Sequence, residues 1–452
     1  MGAEAPVEHD LCWPVVSLAE IATKIGSGAT PKGGAEVYLP SRARFALVRS
    51  QNVFDRRFDH DGLAFITDEQ ADGLRGVVLK PDDILLNITG DGITFGRACM
   101  VPKDVLPACV NQHVSIIRLD RQRADAGYVL AFLTHPDVKS YIESFNAGGS
   151  RRAITKGHIE SFRLPLPPLS EQRAIAHILG ALDDKIELNR RMNETLDAMA
   201  QAIFKSWFVD FDPVRAMAED RDRGLPKVLA DLFPDSFEDS ELGEIPKGWE
   251  IQRFADTIDI IGGGTPKTSV AEYWEGDIPW FSVVDAPSNS EVWVVDTVKK
   301  VTLEGVANSS TRLLPVGTTI ISARGTVGRI ALVGVPMAMN QSCYGLRGRA
   351  GTHGFFTYFT TRELITRLKQ HAHGSVFDTI TQETLAGVSL ASPPAVLIDA
   401  FESQVRPALE RIRASLLDSR TLATLRDTLL PKLISGELRV PDAGRAVRGV
   451  GV

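Results

Sequence analysis

Several stretches carry residue types that could do covalent chemistry, and none completes a site. Gly262–Thr268 (GGGTPKT) ends in Lys-Thr as a phosphate loop does, but lacks the second-glycine spacing that lets backbone amides wrap a phosphate. Gly90–Gly96 (GDGITFG) has no dinucleotide fingerprint after it and reads as a tight turn. Asp212-Pro213 does not extend to the aromatic-flanked dipeptide of amino-methyltransferases, His371 and His373 form no HExxH pair, and there is no nucleophile elbow. Cys12, Cys99, Cys109 and Cys343 are scattered, without metal-ligand spacing. Four thiols in 452 residues suggest a reducing, cytoplasmic setting.

Residues suited to recognition are easier to find. Arg49–Asn52 (RSQN) follows a strand-like run, and Ser282–Asp285 (SVVD) follows another. Arg, Gln and Asn can bond purine edges bidentately, and Ser can bond several bases. Arg49, Gln51, Asn52 and Ser282 are therefore candidate DNA contacts. Gly149–Lys156 (GSRRAITK) offers Ser150, Arg151, Arg152 and Lys156 to phosphates. The later run His371–Thr381 keeps Ser375 and Thr381 but places Val376 and Phe377 where the arginines stand, so the shared Gly-Ser and Thr look like scaffold. Candidates also include Lys32, Lys267, Arg97, Arg324 and Arg329, and Ser375 and Thr381 of the second copy.

These stretches come in pairs because the chain repeats. GATPK at Gly28–Lys32 recurs as GGTPK at Gly263–Lys267, and Leu79–Gly90 aligns with Leu314–Gly325, both displaced by 235 residues. Asn111-Gln112 matches Asn340-Gln341, and Leu164–Pro168 matches Leu390–Pro394 at a displacement of 226. After each copy comes a long helical run. Leu169–Phe208 has no proline, and its apolar residues recur every three or four positions from Ile175 to Trp207, interrupted by Asn189 and Asn193. At about 1.5 Å per residue it would be on the order of 58 Å long. A second helix is predicted over about Leu397–Leu433.

The expected organisation is thus globule (1–165), spacer helix (166–209), linker (210–245), globule (246–395), second spacer helix (396–438) and tail (439–452). The fold class is α+β: two tandem-duplicated globules joined and separated by two long antiparallel coiled-coil helices with pseudo-two-fold symmetry. The first globule reads as short strands at Phe45–Arg49, Ile84–Ile88, Ala98–Val101 and Val114–Arg118 with a helix over Ala126–Phe145. The linker, rich in Asp, Pro and Gly, reads as a tether or a loop crossing between domains. Asn189 and Asn193 either fix the register of the helix pair or face solvent. Net charge is -7, and residues 166–245 hold nine Lys and Arg against seventeen Asp and Glu, so the acidity sits in spacer and linker. An acidic spacer suits protein docking, and a two-headed reader suits a duplex with two half-sites. No membrane span or signal peptide is expected.

The paired GxTPK stretches, the junction Leu164–Leu179 (LPLPPLSEQRAIAHIL), its continuation Asn189–Val214, Ile245–Glu250 (IPKGWE) and Leu425–Leu438 resemble the specificity subunits of type I restriction-modification systems over nearly the whole chain. The second junction departs, reading Ser392–Glu402 (SPPAVLIDAFE) where the family often repeats Pro-Pro-x-x-Glu-Gln. The resemblance implies a non-catalytic subunit whose two target-recognition domains read a bipartite, asymmetric site in double-stranded DNA. It implies docking of two methyltransferase subunits on the helices, and of restriction subunits in the assembly. It implies no cofactor in this chain, with S-adenosylmethionine, ATP and Mg in the partners. Two rivals are a single-chain methyltransferase or nuclease with a diverged site, and a protein-binding scaffold. Incubated alone with labelled S-adenosylmethionine and DNA, the purified chain should transfer no methyl group; transfer would favour the enzyme.

Overall fold

The computed structural model of the chain describes residues 13–90, 94–144, 152–222, 224–287, 291–349, 354–371 and 379–449. Contacts divide the chain into two units, Met1–Leu188 with Ser419–Val452, and Asn189–Asp418.

In the first unit, a four-stranded antiparallel sheet runs in the order Ala22–Ser27, Val114–Leu119, Ile84–Asn87, Ala98–Met100. Ile84–Asn87 is buried along its length, as an apolar run covered on both faces must be. A second sheet sets Phe45–Val48 between Ala108–Val110, parallel to it, and Ala64–Ile66, antiparallel. The four expected strands thus form. The helix expected over Ala126–Phe145 is two, Ala126–Leu133 and Pro136–Ser144. Pro136 has no N–H to continue the ladder, which marks the break. Phe145 lies outside the described residues.

The second unit repeats this order: Ile258–Gly262, Cys343–Gly348, Thr319–Ser322, Ile330–Val333, with Trp293–Val294 added at the edge. Ala338–Met339 runs parallel to Trp274–Phe281, as Ala108–Val110 does to Phe45–Val48. Each globule is closed by a ribbon joining its first strand to the strand before its long helix: Val15–Ser17 with Arg163–Pro165, and Glu250–Arg253 with Ser389–Ser392.

The long helices are Leu169–Phe208 and Ala395–Ser435. The second contains Pro407 and Pro431, each removing a helix hydrogen bond. Burial of Phe401, Val405, Leu409 and Ile412 in one unit, and of Leu429, Leu430 and Leu433 in the other, outweighs that cost. Within the second unit the helices run antiparallel: Asn189 Nδ2 donates to Asp418 Oδ2 at 3.0 Å, and the Phe204 ring meets Phe401 at 5.7 Å. Asn189 and Asn193 are 2% and 3% exposed, so of the two sequence readings the solvent-facing one fails. Among the described residues, the buried Asn193 Oδ1 has no hydrogen-bond partner, a costly state for a polar atom.

Residues 210–245, expected as a tether or crossing loop, carry regular elements. Asp212–Ala218 and Lys227–Ala230 are helical, and Phe237–Ser240 pairs with Gly243–Pro246. Val214, Phe233 and Ile245 are buried with Trp249 against Phe204 and Trp207 of the first long helix. Aromatic side chains in an acidic background find partners at the helix end, and that burial orders the segment.

Buried polar groups fasten each globule to its helices. In the first unit Gln172, fully buried, accepts from Asp125 N (2.9 Å) and donates to Arg123 O (3.1 Å) and Pro167 O (2.8 Å). Asp183 on the first long helix bridges Arg56 (3.0 Å) and Arg426 of the second (2.6 Å). In the second unit Ile398 stands where Gln172 would recur. One turn later, the buried Glu402 carboxylate accepts from Phe355 N (2.8 Å) and Phe356 N (2.9 Å), amides of the first turn of Gly354–His371. The altered junction thus keeps its function with the acceptor moved by four residues on the same face. Glu402→Ala should destabilise this unit by about 2 kcal/mol and Glu402→Gln, which keeps an acceptor, by less; equal losses in urea denaturation would contradict the role.

Candidate nucleic-acid interface

In each globule the loops that leave the strands are stitched together by one recurring set of bonds. Gly28 and Gly263 lie so close to the opposite strand that a Cβ would collide with the carbonyl oxygens of Val110 and Asn111, or of Met339 and Asn340. Only glycine fits there. Thr30 Oγ1 then donates to Gln112 Oε1, and Thr265 Oγ1 to Gln341 Oε1. Asn111 and Asn340 each turn the chain by accepting from the amide two residues on, His113 N and Ser342 N, both at 3.1 Å. Their own amides donate to Val48 O (3.0 Å) and Phe281 O (2.9 Å), which ties this loop to the next.

That next loop is a single turn in both copies. Asn52 Oδ1 accepts from Arg49 N at 3.0 Å, and Asp285 Oδ2 from Ser282 N at 2.8 Å. A third loop joins through Ile88 N to His113 O and Ile154 N to Ile88 O, matched by Ala323 N to Ser342 O and Ile380 N to Ala323 O. Thr155 and Thr381 then cap the short helices Lys156–Glu160 and Gln382–Ala386.

Lys32, Gln51, Lys156, Lys267, Arg324 and Arg329 are exposed on or beside these stitched loops. Lys156 pairs with Glu160 at 3.4 Å, an exposed pair of little weight. Arg49 is half-buried, its guanidinium donating to Gly62 O and lying 5.6 Å from the Tyr38 ring. Arg97, also half-buried, lies 4.4 Å from the Phe54 ring, which Arg57 meets at 4.2 Å. Ser150, Arg151 and Ser375 lie outside the described residues. Of Arg152 the backbone is described, paired with Gly90.

One expectation is corrected. Asn52 is fully buried, and its Nδ2 donates to Asp59 O (3.0 Å) and Asp61 O (3.2 Å), so the side chain holds a turn and has no face for a base. The Ser282 hydroxyl, partly exposed, donates to Asp285 Oδ2 at 2.8 Å within its own turn, and Thr381 Oγ1, also partly exposed, accepts from Thr384 N at 3.1 Å as an N-cap. Sequence reasoning missed Thr30, Gln112, Thr265 and Gln341, whose signal was their recurrence in both copies. It also missed Asn87, fully buried, whose Nδ2 donates to Ser50 O (2.9 Å) and Thr94 O (3.0 Å).

The arrangement can present polar and basic tips on loops fixed by these hydrogen bonds. Burial pushes the Cys109 thiol up to about 11 and Cys343 up to about 12, so both stay protonated near neutral pH. Among the described residues no group of His, Cys, Asp and Glu could hold a metal, and no helix is long and apolar enough to cross a membrane.

Residues 13–198 and 246–396 match the family model described as the type I restriction modification DNA specificity domain. The chain is 25% identical over 437 residues to the type I restriction enzyme HindI specificity subunit of Haemophilus influenzae, covering 86% of this chain and 94% of that one. It is 20% identical over 442 residues to the putative MjaX specificity subunit of Methanocaldococcus jannaschii, covering 95% and 94%. The crystal structure of a type I system S subunit from M. genitalium shares the fold, with a TM-score of 0.53 at 14% identity over 96% of this chain and 99% of that one.

Two classes of substitution should separate. Asn52→Ala should cost about 1–3 kcal/mol of stability. Lys32→Ala or Lys267→Ala should leave stability within about 0.5 kcal/mol and lower the salt slope of duplex binding by about one unit. Titrations at several salt concentrations, beside thermal melts, check both.

Proposed function

Because this chain belongs to the type I restriction modification DNA specificity family, and is a DNA-recognition subunit, we propose that it reads a bipartite, asymmetric site with one half-site per globule. The observation that carries this reading is the doubled loop frame. Both copies use the same Gly, Thr–Gln and Asn contacts to hold their loops, yet the exposed residues differ: Gln51 in one turn, Val284 in the other. Equal frames with unequal tips suit two different half-sites.

Lys32, Lys156, Lys267, Arg324 and Arg329 would contact phosphates or base edges, and Arg49 and Arg97 would support them from half-buried positions. The exposed faces of the long helices would dock two methyltransferase subunits, with restriction subunits completing the assembly. Methyl transfer from S-adenosylmethionine and ATP- and Mg-dependent cleavage would then belong to those partners, and the complex would work in the cytoplasm. The long helices would set the distance between half-sites.

Two measurements test the proposal. Bound to its methyltransferase partners, the chain should hold duplex DNA with an affinity that falls steeply with salt, since each phosphate contact releases counterions; partner binding without salt-dependent DNA affinity would favour a protein scaffold. Deleting about one heptad within 182–203 should change the half-site separation or abolish partner binding while each globule stays folded. An unchanged target with normal assembly would refute the spacing role.

A further inference from the structure

Val284 and Val298 are 75% and 82% exposed, large apolar residues at the tips of two neighbouring turns of the second globule. A single exposed valine is ordinary, but these two are held in place together. Asp285 accepts from Val298 N through Oδ1 (2.7 Å) and from Ser282 N through Oδ2 (2.8 Å), so one carboxylate clamps both turns. Thr297 Oγ1 adds a second clamp, accepting from Trp280 N (2.9 Å) and donating to Lys299 O (2.6 Å). Two lysines directly follow Val298: Lys299 sits 5.8 Å from the Trp274 ring, and Lys300 pairs with Asp296 at 3.6 Å. Val284 also occupies the turn position that Gln51 holds in the first globule, one residue before the capping Asp285 or Asn52.

We propose that Val284 and Val298 are base-reading residues of the second half-site, and that they recognise the C5-methyl group of thymine in the major groove. This rests on the DNA-reading function proposed above. Among base edges in that groove, thymine alone offers an apolar methyl. A pair of valines held by one carboxylate, with Lys299 next to Val298, complements a methyl flanked by phosphates. A glutamine at the same turn position of the first globule suits an adenine edge instead, which makes the two half-sites chemically unlike.

The test uses the complex with methyltransferase partners and duplexes carrying its selected site, in which each thymine of the second half is replaced singly by deoxyuridine. The wild-type complex should lose about fourfold in affinity at one or two positions, the weight of one buried methyl group. The double variant Val284→Ser, Val298→Ser should remain folded by circular dichroism and show no further loss at those positions. Equal wild-type affinity for thymine and deoxyuridine throughout the second half, or an unchanged deoxyuridine penalty in the variant, would overturn this assignment while leaving DNA reading intact. A wild-type complex with no sequence preference at all would overturn the underlying function instead.

Discussion

A polar group taken out of water must find a partner, and that requirement fastens each globule to the helices beside it. Gln172 uses its whole amide to join the turn before Ala126–Leu133 to the start of the first long helix. Asp183 holds Arg56 of the globule and Arg426 of the second helix at once. In the other unit Asp197 faces Arg362 at 3.4 Å, and burial raises the Asp197 carboxyl while the guanidinium opposes that shift. Glu402 receives two amides at the start of Gly354–His371. Removing one partner strands the other in a low-dielectric interior, so these contacts specify geometry more than they add net stability.

The same logic governs the reading loops. A DNA-reading tip is useful only if its backbone is fixed before the duplex arrives, because ordering it on binding would consume affinity. The Gly–carbonyl approach, the Thr–Gln bond and the Asn turn supply that order without using the outermost side chains. Under the proposed reading, a new half-site would need changes at positions such as Gln51 and Val284 and none at Thr30, Gln112, Thr265 or Gln341. Duplication with divergent tips thus follows from the division between residues that hold a loop and residues that face outward.

Much of this was legible in the sequence. The seam of Leu169–Phe208 is unbroken by proline, and its limits appear in the structure as read. The second helix was legible despite Pro407 and Pro431 because its apolar spacing continues through both. The role of Asn52 was not legible: its type suits a purine edge, and its partners at Asp59 and Asp61 depend on a turn that local sequence does not display. The ordered segment 210–245 was hidden for a similar reason. Its acidic composition suggests a tether, and Phe233 becomes a core residue only when Trp207 is there to receive it, ring centroids 5.2 Å apart. Glu402 was invisible as a junction residue because its acceptor sits one helical turn beyond the expected position.

Two similarly framed but differently tipped globules are proposed to read two unlike half-sites. The most direct measurement is sequencing of the methylated sites in cells that express this chain with its methyltransferase partners and no other such system. The account predicts one split motif, with two different specific halves separated by a spacer of fixed length and free sequence. A single uninterrupted motif, two identical halves, or methylation without any motif would contradict it.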